Sequence, residues 1–365
     1  MKDAVHIALD AMGGDDAPEI VLAGANIAHQ RYSDARFHLF GDQAVLTPRV
    51  AKLEGLRDCC KIHHAADIVG PDDKPSQAVR RRDTSMRLAI ESVKEGQAEG
   101  VVSAGNTGAL MGLSVLILRT LSGIDRPAIA SYLPTRRGEM VLLDSGANVT
   151  CDADNLVQFA VMGEVCARCV LGVLEPSIGL LNIGSEAGKG NEVLRNAAAI
   201  LKGSALPIKF HGFVEGDDIV LGTVDVVVTD GFSGNIALKT VEGTAKLITG
   251  FVSEAFRNSL AANIGYLFAK PALDRAALRG DPRRYNGAIL VGLNGIVVKS
   301  HGGTDALGFA TAIGKAYDMI RHGFNKTISE ELPRLAAPSS SDASSNASGL
   351  SVQQHIADGG GEGAP

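Results

Sequence analysis

The sequence predicts an α/β fold in which a mostly parallel sheet lies between helices on both of its faces. Short apolar runs alternate with segments of helical periodicity along the chain. Several runs are almost continuously apolar, as expected for strands that are covered on both faces. Most of them end in Gly, Asp or Asn and lead into a helical segment, which is the pattern of repeated β-α-β units.

The predicted strands also locate the candidate sites, because ligands of such sheets bind beyond the carboxyl ends of the strands. The turns that follow the strands are therefore the segments of interest. In chain order the predicted strands are VHIALD (5–10), FHLFGD (37–42), KIHHA (61–65), GVVSAG (100–105), MVLLDSG (140–146), IGLLNIG (178–184), IKFHGFVEG (208–216), DVVVTDG (225–231) and ILVGLNGIVVKSHG (289–302).

Two segments depart from this pattern. Residues 244–286 show helical periodicity and no convincing strand, and we expect them to project from a catalytic domain that covers residues 1–335. Leu247, Phe251 and Ala255 are expected to form one buried stripe, and Pro271 to restart the helix. Residues 336–365 are rich in Ser, Gly and Ala, cannot form a core, and are predicted to be a disordered low-complexity tail.

Composition and charge argue against several classes of protein. The chain has 365 residues, a formal net charge of −6, 4% aromatic residues and no Trp, which argues against nucleic-acid binding. The spacing of the five cysteines is unlike that of a zinc site. The N-terminus enters a strand at once, and no stretch is apolar for long enough to span a membrane, so the expected location is the cytoplasm.

Two glycine-rich turns in the first half of the chain could bind a ligand. In LDAMGGDDAP two adjacent glycines would let the backbone approach a ligand closely, although the acidic residues of this turn could simply cap a helix. In SAGNTGALM, Gly105 and Gly108 bracket Asn106, whose amide can donate and accept hydrogen bonds. We predict that these three residues bind substrate; the alternative is a purely structural turn.

The turn LLNIGSEAGKGNEVL (180–194) carries a lysine among glycines. It is not a Walker A loop, because Lys189 is followed by Gly190 where Ser or Thr would ligate Mg²⁺. Lys189 is instead suited to meet an oxyanion as a point charge, with Gly188 beside it in the substrate site. The alternative is a surface ion pair between Lys189 and Glu192.

Two later turns add further polar groups. TDGFSGN follows the apolar run VDVVV and begins a helix, so its backbone N–H groups and the positive helix end suit an anion. This turn supplies Ser233, Gly234 and Asn235. In the turn KSHGG, Lys299 and His301 place a cation and an imidazole beside two glycines; a structural role is the alternative for His301.

Several common active-site signatures are absent from the sequence. The first strand is not followed by the dinucleotide fingerprint G-x-G-x-x-G, and the chain has neither a G-x-S-x-G nucleophile elbow nor an H-E-x-x-H helix. The chain has several turns that could bind an anion, few candidate nucleophiles and no cofactor signature. This combination suggests that the bound anion is a reactant.

The ordered motifs resemble the phosphate acyltransferase family of bacterial phospholipid synthesis, from about Val5 to Phe324. Asp16 stands where members of that family often carry His. The motifs that carry the resemblance are ALDAMGGDDAP, VSAGNTGALM, IDRPAIA, LLDSGAN, GLLNIGSEAGKGNE, DVVVTDGFSGNIALKT and YNGAILVGLNGIVVKSHGGTDA.

The resemblance implies transfer of a fatty acyl group from acyl carrier protein to inorganic phosphate. It implies a Rossmann-like α/β/α sandwich related to phosphotransacetylases and to isocitrate and isopropylmalate dehydrogenases. It further implies a homodimer without metal or organic cofactor, attached peripherally to the inner face of the membrane. There a membrane-bound glycerol-3-phosphate acyltransferase would use the acyl phosphate. A phosphotransacetylase acting on acyl-CoA and a non-catalytic scaffold that binds acyl carrier protein are the alternatives.

The chemistry of this reaction assigns roles to the candidate residues. Phosphate is largely dianionic at neutral pH, so it can attack a thioester directly. The enzyme must desolvate the phosphate, orient it towards the thioester carbonyl and stabilise the oxyanion that forms. Lys189 and Asn235 are predicted to be catalytic. Asn106, Ser233, Lys299 and His301 are expected to line the same cleft.

Basic residues are candidates for docking an acidic carrier protein, because the chain as a whole is net negative. Each group could instead be a solvated face. The helical segment also interleaves apolar residues with cations, which suits a tip that rests on an anionic membrane; packing within a dimer is the alternative. The docking candidates are Arg80, Arg81, Arg82, Lys270, Arg275 and Arg279.

Overall fold

The computed structural model describes residues 4–204, 208–257 and 259–333, so the predicted tail at 336–365 lies outside the described residues. An 11-stranded sheet forms the centre of the molecule. Its strands are β1 (Val5–Asp10), β2 (Ala35–Gly41), β3 (Cys60–His64), β4 (Gly100–Ser103), β5 (Ala128–Pro134), β6 (Glu139–Leu143), β7 (Ser177–Leu181), β8 (Lys209–Val214), β9 (Val226–Val228), β10 (Ala288–Val291) and β11 (Ile296–Lys299).

Helices connect most of these strands. Helix α7 continues into a π-helical turn at Ala167–Leu171. The helices are α1 (Glu19–Arg31), α2 (Gln43–Val50), α3 (Glu54–Arg57), α4 (Pro75–Ala78), α5 (Ser85–Lys94), α6 (Thr107–Leu118), α7 (Ala153–Cys166), α8 (Glu192–Gly203), α9 (Gly216–Leu221), α10 (Gly231–Arg257), α11 (Leu260–Arg279), α12 (Pro282–Tyr285), α13 (Ala306–Arg321) and α14 (Phe324–Glu331).

The sheet consists of two parallel blocks joined by antiparallel strands. The strand order is β3-β2-β1-β4-β11-β10-β5-β6-β9-β7-β8. The strands from β3 to β11 are mutually parallel, as are β6, β9, β7 and β8, which confirms the mostly parallel sheet. We call β3, β2, β1, β4 and β11 the first block and β6, β9, β7 and β8 the second. Strands β10 and β5 lie between the blocks, and the pairs β11–β10, β10–β5 and β5–β6 are all antiparallel. The second block therefore runs in the opposite direction to the first.

The sheet is buried on both faces, which explains the nearly continuous apolar runs. In β1, Ile7 and Leu9 belong to an apolar cluster that covers one face of the sheet together with α1, α7 and α13, whereas Ala8 packs on the other face against α5 and α6. In β9, Val227 likewise faces the opposite side from its neighbours and packs against α9 and the first half of α10. The predicted α/β/α layering is therefore confirmed.

Two parts of the sheet were not anticipated. Strand β5 was missed, because Ser131 and the terminal Pro134 interrupt its apolar run. The run at 289–302 is a hairpin rather than one strand, since β10 and β11 pair antiparallel across the turn that includes Gly292 and Gly295. Both differences concern the centre of the sheet, where the two parallel blocks meet.

Helix α10 begins at the TDGFSGN turn and runs far beyond the sheet. Its first half packs on the sheet through Ala237, Leu238 and Val241. The predicted buried stripe is wrong: Leu247 and Phe251 are exposed, because this part of α10 extends past the sheet and packs against α11. Within the described residues, no helix is both long and apolar enough to cross a membrane.

The predicted restart at Pro271 is also wrong, because α11 is continuous through this residue. Proline removes one backbone hydrogen bond from a helix. Since Pro271 and its neighbours on α11 are exposed, water can solvate the carbonyl group that proline leaves unpaired.

Candidate functional site

The turns that follow the strands gather into two clusters. We call the turns after β1, β4 and β11 the Lys299 cluster; they contact each other where the Asp15 N–H donates to Gly302 O at 3.0 Å. We call the turns after β6, β7 and β9 the Asn235 cluster. The turns after β6 and β9 meet where the Gly231 N–H donates to Asn148 O at 2.7 Å, and the third turn follows β7, the neighbour of β9 in the sheet. Each cluster lies at the carboxyl ends of one parallel block.

The Asn235 cluster is built around the buried carboxylate of Asp144, which follows β6. Its Oδ1 accepts the N–H groups of Ile129, Gly146 and Ala147 at 2.9–3.0 Å. Its Oδ2 accepts the backbone N–H and the Nδ2 of Asn148 at 2.7 and 2.9 Å. These bonds to a charged acceptor fix the loop after β6 against the start of β5.

The TDGFSGN turn packs directly on this loop. A Cβ added to Gly234 would lie 1.9 Å from Asp144 O, so the two backbones touch with no room for a side chain. Asn235 is exposed, and its Nδ2 lies 2.8 Å from the position that a Cβ on Gly146 would take. Gly146 has a φ of 143°, which favours glycine, and a side chain at this position would collide with the amide of Asn235.

The N–H groups of this turn are already partly satisfied within the chain. Asp230 accepts from the Ser233 N–H at 2.7 Å and lies 3.2 Å from Ser233 Oγ. Gly234 N–H donates to Asp230 O at 2.9 Å. Two of the expected free backbone donors are therefore bonded to Asp230 and a third, the Gly231 N–H, to Asn148, so an anion held here would depend largely on side chains such as Asn235 and Lys189.

Lys189 lies on the loop after β7, which is the neighbour of β9 in the sheet. Its backbone N–H donates to Glu186 O at 3.0 Å, and its side chain is exposed. Both Lys189 and Glu192 are described residues, and the structure shows no ion pair between them. A Cβ on Gly188 beside it would meet no atom within 4 Å, and the ammonium of Lys189 has no hydrogen-bond or ion-pair partner among the described residues.

The sequence analysis missed Asn182, which directly follows β7. Its side chain is buried, and its Oδ1 accepts the Ile183 N–H at 2.8 Å. A Cβ on Gly190 would lie 2.3 Å from the same Oδ1, so the glycine-rich loop folds back over this amide. Among the described residues, Asn182 Nδ2 has no hydrogen-bond partner.

The Lys299 cluster is built around a second buried carboxylate, Asp10. Its two oxygens accept the hydroxyl groups of Ser85 at 2.6 Å and Ser103 at 2.7 Å. Ser103 Oγ in turn accepts the Gly105 N–H at 3.0 Å. Burial is the largest influence on Asp10 and raises its pKa, while these hydroxyl groups and Lys299 act in the opposite direction.

Lys299 is largely enclosed by carbonyl groups. Its Nζ donates to Ser300 O and lies 3.4 Å from Ala104 O. Burial lowers its pKa to about 8, against the opposing charges of Asp10 and Asp15. His301 is exposed; its N–H donates to Asn286 Oδ1 at 2.9 Å, and its Nδ1 accepts the Gly303 N–H at 3.2 Å.

Asn106 has structural bonds on both sides of its amide. Its Oδ1 accepts the Ala109 N–H at 3.0 Å and caps α6, and its Nδ2 donates to Pro71 O at 2.9 Å and Asp73 O at 3.1 Å. A Cβ on Gly108 would lie 2.6 Å from Pro75. These contacts support the alternative that the turn has a purely structural role. Any contact with substrate would come from groups next to the Asn106 amide.

Some of the docking candidates form ion pairs with carboxylates of this chain, and others are exposed. Arg81 is held by Asp67 and, at 2.7 Å, by Asp73, whereas Arg80 and Arg82 are exposed. The other group lies on α11: Lys270 pairs with Asp274 at 2.6 Å, and Arg275 and Arg279 are exposed.

The structure thus separates the predicted site residues into two groups. Lys189, Gly188, Ser233, Gly234 and Asn235 belong to the second parallel block, and Gly105, Asn106, Gly108, Lys299 and His301 to the first. Among the described residues no hydrogen bond or ion pair joins the two clusters, so their meeting in one cleft stays a prediction. Each cluster presents a cation beside glycine turns, a combination of groups that is typical of anion sites.

Comparison with known proteins identifies related sequences over almost the whole chain. Residues 5–327 match the family model described as "Fatty acid synthesis protein". The "Phosphate acyltransferase" of Rhodospirillum rubrum is 57% identical over 336 residues, which cover 92% of this chain and 96% of the relative. That of Rhodospirillum centenum is 58% identical over 338 residues, with 92% and 95% covered.

Solved structures with a similar fold are more distant in sequence. A phosphotransacetylase from Streptococcus pyogenes superposes with a TM-score of 0.59 at 17% identity, covering 87% of this chain and 94% of its own. A phosphotransacetylase from Staphylococcus aureus gives a TM-score of 0.54 at 18% identity, with 86% and 94% covered. These likenesses confirm the expected kinship of fold with phosphotransacetylases.

Proposed function

The chain belongs to the fatty acid synthesis protein family, and on that premise we propose that this acyltransferase moves a long-chain fatty acyl group from acyl carrier protein to inorganic phosphate. The product would be an acyl phosphate that feeds glycerol-3-phosphate acylation in phospholipid synthesis. The single observation that carries the proposal is that an exposed cation, Lys189, and an exposed amide, Asn235, lie on loops that follow two adjacent parallel strands.

Direct attack by phosphate accounts for the groups that are present. Lys189 and Asn235 would together orient the phosphate dianion and stabilise the oxyanion that forms on the thioester carbonyl. Phosphate itself is the nucleophile, so the mechanism uses no covalent enzyme intermediate and no metal or organic cofactor. The loop after β6, whose N–H groups are bonded to the Asp144 carboxylate, lies against Asn235 and would limit reorganisation of this side chain during the reaction.

Exposed apolar side chains around the Asn235 cluster favour a long acyl chain as the transferred group. Phe232 and Ile236 flank Asn235 on the exposed face of the first turns of α10, since residues three and four apart share a helix face. Ile183 and Val149, on the neighbouring loops, are also largely exposed. A short acetyl group would leave most of this apolar surface uncovered, whereas a long chain would bury it.

The carrier protein is proposed to dock through Arg80 and Arg82. These arginines follow α4, whose preceding loop is bonded to Asn106 in the Lys299 cluster. Arg81 is already neutralised by two carboxylates and would contribute less. An acidic carrier bound here would lie next to a cluster that itself offers Lys299 and His301.

The projecting pair of helices is proposed to serve as a membrane contact and as part of a homodimer. Leu267 and Phe268 on α11 are 69% and 84% exposed, and Lys270, Arg275 and Arg279 lie on the same helix. Basic residues near an anionic surface contribute about 1 kcal/mol each. A second copy of the chain could cover exposed residues of α10 such as Leu247 and Phe251. Such an arrangement would let an acyl phosphate pass to a membrane-bound glycerol-3-phosphate acyltransferase over a short distance.

A donor comparison tests the proposal. Purified protein is mixed with palmitoyl-acyl carrier protein, palmitoyl-CoA or acetyl-CoA, with and without phosphate, and free thiol is followed. We expect phosphate-dependent release that is fastest with palmitoyl-acyl carrier protein. Preference for acetyl-CoA would instead identify a phosphotransacetylase. Thiol release that is independent of phosphate would contradict the assignment of phosphate as the acyl acceptor. No release with any donor would favour a scaffold that binds the carrier without catalysis.

A further inference from the structure

Asn286 is a buried polar residue that the proposed mechanism does not use, and it bonds directly to the KSHGG turn after β11. The residue is 8% exposed and lies between α12 and β10. Its Oδ1 accepts the His301 N–H at 2.9 Å, and its Nδ2 donates to Ser300 Oγ and to Gly308 O, each at 2.8 Å. A carboxamide has two N–H donors and one oxygen acceptor, so both donors and the oxygen have partners.

These partners fix the orientation of the Asn286 amide. A rotation that exchanged Oδ1 and Nδ2 would set an N–H group against the His301 N–H and an oxygen against Gly308 O. Buried polar groups would then lack partners, which is unfavourable. Because Gly308 lies in the first turn of α13, the amide ties the KSHGG turn to this helix in one arrangement.

The backbone on both sides of Asn286 is held by Lys315 of α13. The Lys315 side chain is buried, and its Nζ donates to Tyr285 O at 2.9 Å and to Gly287 O at 3.2 Å. A Cβ on Gly287 would lie 2.9 Å from the Cα of Ala312, so the chain packs directly on α13 here. The Asn286 side chain therefore starts from a backbone that is bonded to α13 before and after it.

Other contacts of the KSHGG turn restrain His301 less directly. Arg283 lies 3.2 Å from Asp305 just beyond the turn, but both side chains are exposed, and exposed ion pairs contribute little. Gly302 O accepts the Asp15 N–H at 3.0 Å from the turn after β1. Since two adjacent glycines follow His301 and give the backbone freedom, the bond to Asn286 is the one that fixes the His301 N–H.

We propose that Asn286 is a positioning residue for substrate binding: it holds the KSHGG turn in the conformation that presents Lys299 and His301 to an anionic group of a substrate. The inference rests on the proposed function, in which Lys299 and His301 line the substrate cleft. Asn286 itself is buried, and the proposal gives it no contact with substrate. The anionic group belongs to inorganic phosphate or to the acyl donor, and separate KM values distinguish the two.

Steady-state kinetics of two variants test the proposal. Asn286→Ala removes all three bonds, whereas Asn286→Asp keeps an acceptor for the His301 N–H. Loss of binding that is equal in the ground state and the transition state raises KM and leaves kcat unchanged. We therefore expect Asn286→Ala to raise the KM for phosphate or for the acyl donor about tenfold, with kcat changed less than about threefold. Asn286→Asp should recover part of the KM.

Asn325→Ala is the matched control for a general loss of packing. Asn325 is half-buried, and its Nδ2 donates to Leu293 O at 3.0 Å, in the turn between β10 and β11. This bond restrains the opposite end of β11, so its loss should leave both KM values unchanged. Wild-type KM values in a folded Asn286→Ala protein would overturn the proposal. An equal rise of KM in Asn325→Ala would overturn it as well.

The ring of His301 reports the conformation of the turn without turnover. Its Nδ1 accepts the Gly303 N–H at 3.2 Å, so the neutral ring carries its proton on Nε2. Nitrogen-15 spectra of the full chain, labelled at histidine and recorded at alkaline pH, distinguish the two neutral forms of the ring. We expect the Nε2–H form in the wild type and in Asn325→Ala, and a mixture of both forms in Asn286→Ala.

The wild-type spectrum decides the proposal even if Asn286→Ala does not fold. A mixture of both ring forms in the wild type would mean that the KSHGG turn is not held in one conformation, and would contradict the role of Asn286. Failure of the proposed function would appear separately, as wild-type thiol release that does not depend on phosphate.

Discussion

Replacing Lys189 by alanine should remove most of the activity while leaving the fold intact. The side chain is exposed, and the structure shows no hydrogen bond or ion pair from its ammonium to another described residue. Substitutions at such positions change the free energy of unfolding by less than about 0.5 kcal/mol. The loss of one group that stabilises a developing oxyanion, in contrast, costs about 10²–10³ in rate, or roughly 2.7–4 kcal/mol.

The assay compares phosphate-dependent thiol release from palmitoyl-acyl carrier protein for Lys189→Ala, Lys189→Arg and the wild type. Lys189→Arg keeps the charge and should recover part of the rate. Lys202→Ala, which removes an exposed lysine at the end of the following helix α8, is the matched control and should behave as wild type. Thermal unfolding followed by circular dichroism checks that each variant is folded. A folded Lys189→Ala enzyme with near wild-type turnover would refute the role of this cation.

Three further predictions concern the packing of the site, the carrier surface and the projecting helices. Gly234→Ala should destabilise the protein by about 3 kcal/mol or more in a urea titration, because its Cβ would lie 1.9 Å from Asp144 O. Gly243→Ala, in open space on the same helix, should stabilise it by up to about 1 kcal/mol. Arg80→Glu/Arg82→Glu should raise the KM for acyl carrier protein about five- to tenfold at low salt and weaken its salt dependence in steady-state assays. Leu267→Glu/Phe268→Glu should abolish flotation with anionic liposomes, which the wild type should show at low salt.

Each of these has an outcome that would contradict it. Equal stability of the two glycine variants would mean that the contact between the TDGFSGN turn and the Asp144 loop is loose. Lys52→Glu reverses an exposed charge elsewhere on the surface. If it raised the KM for acyl carrier protein as much as Arg80→Glu/Arg82→Glu does, the carrier surface would not be specific to these two arginines. Equal loss of flotation in Leu174→Glu, another exposed apolar position, would mean that the membrane effect is not specific to α11.

Local sequence patterns were sufficient for most of the strands and for the positions of the glycine turns that follow them. Continuous apolar runs identified the buried parallel strands. The lysine among glycines made Lys189 a candidate, and its catalytic role stays a prediction. Such patterns depend on neighbours along the chain, which is why they succeeded for turns. They failed for β5, whose antiparallel position at the junction of the blocks has no local signature.

Contacts between distant segments could not be predicted in this way. Nothing near Asp10 in the sequence indicates that Ser85 and Ser103 would donate to it. Periodicity likewise predicted a stripe on α10 at Leu247 and Phe251, but periodicity does not reveal whether anything covers that stripe, and the structure leaves it exposed. Burial and electrostatic environment therefore had to come from the fold.

The identity of the product tests the central claim most directly. Purified protein is incubated with palmitoyl-acyl carrier protein and phosphate that carries ¹⁸O at all four oxygens, and the lipid product is analysed by mass spectrometry. Direct attack by phosphate predicts palmitoyl phosphate that retains every labelled oxygen, formed in equal amount to the released thiol. Unlabelled palmitic acid as the initial product, released whether or not phosphate is present, would contradict the account.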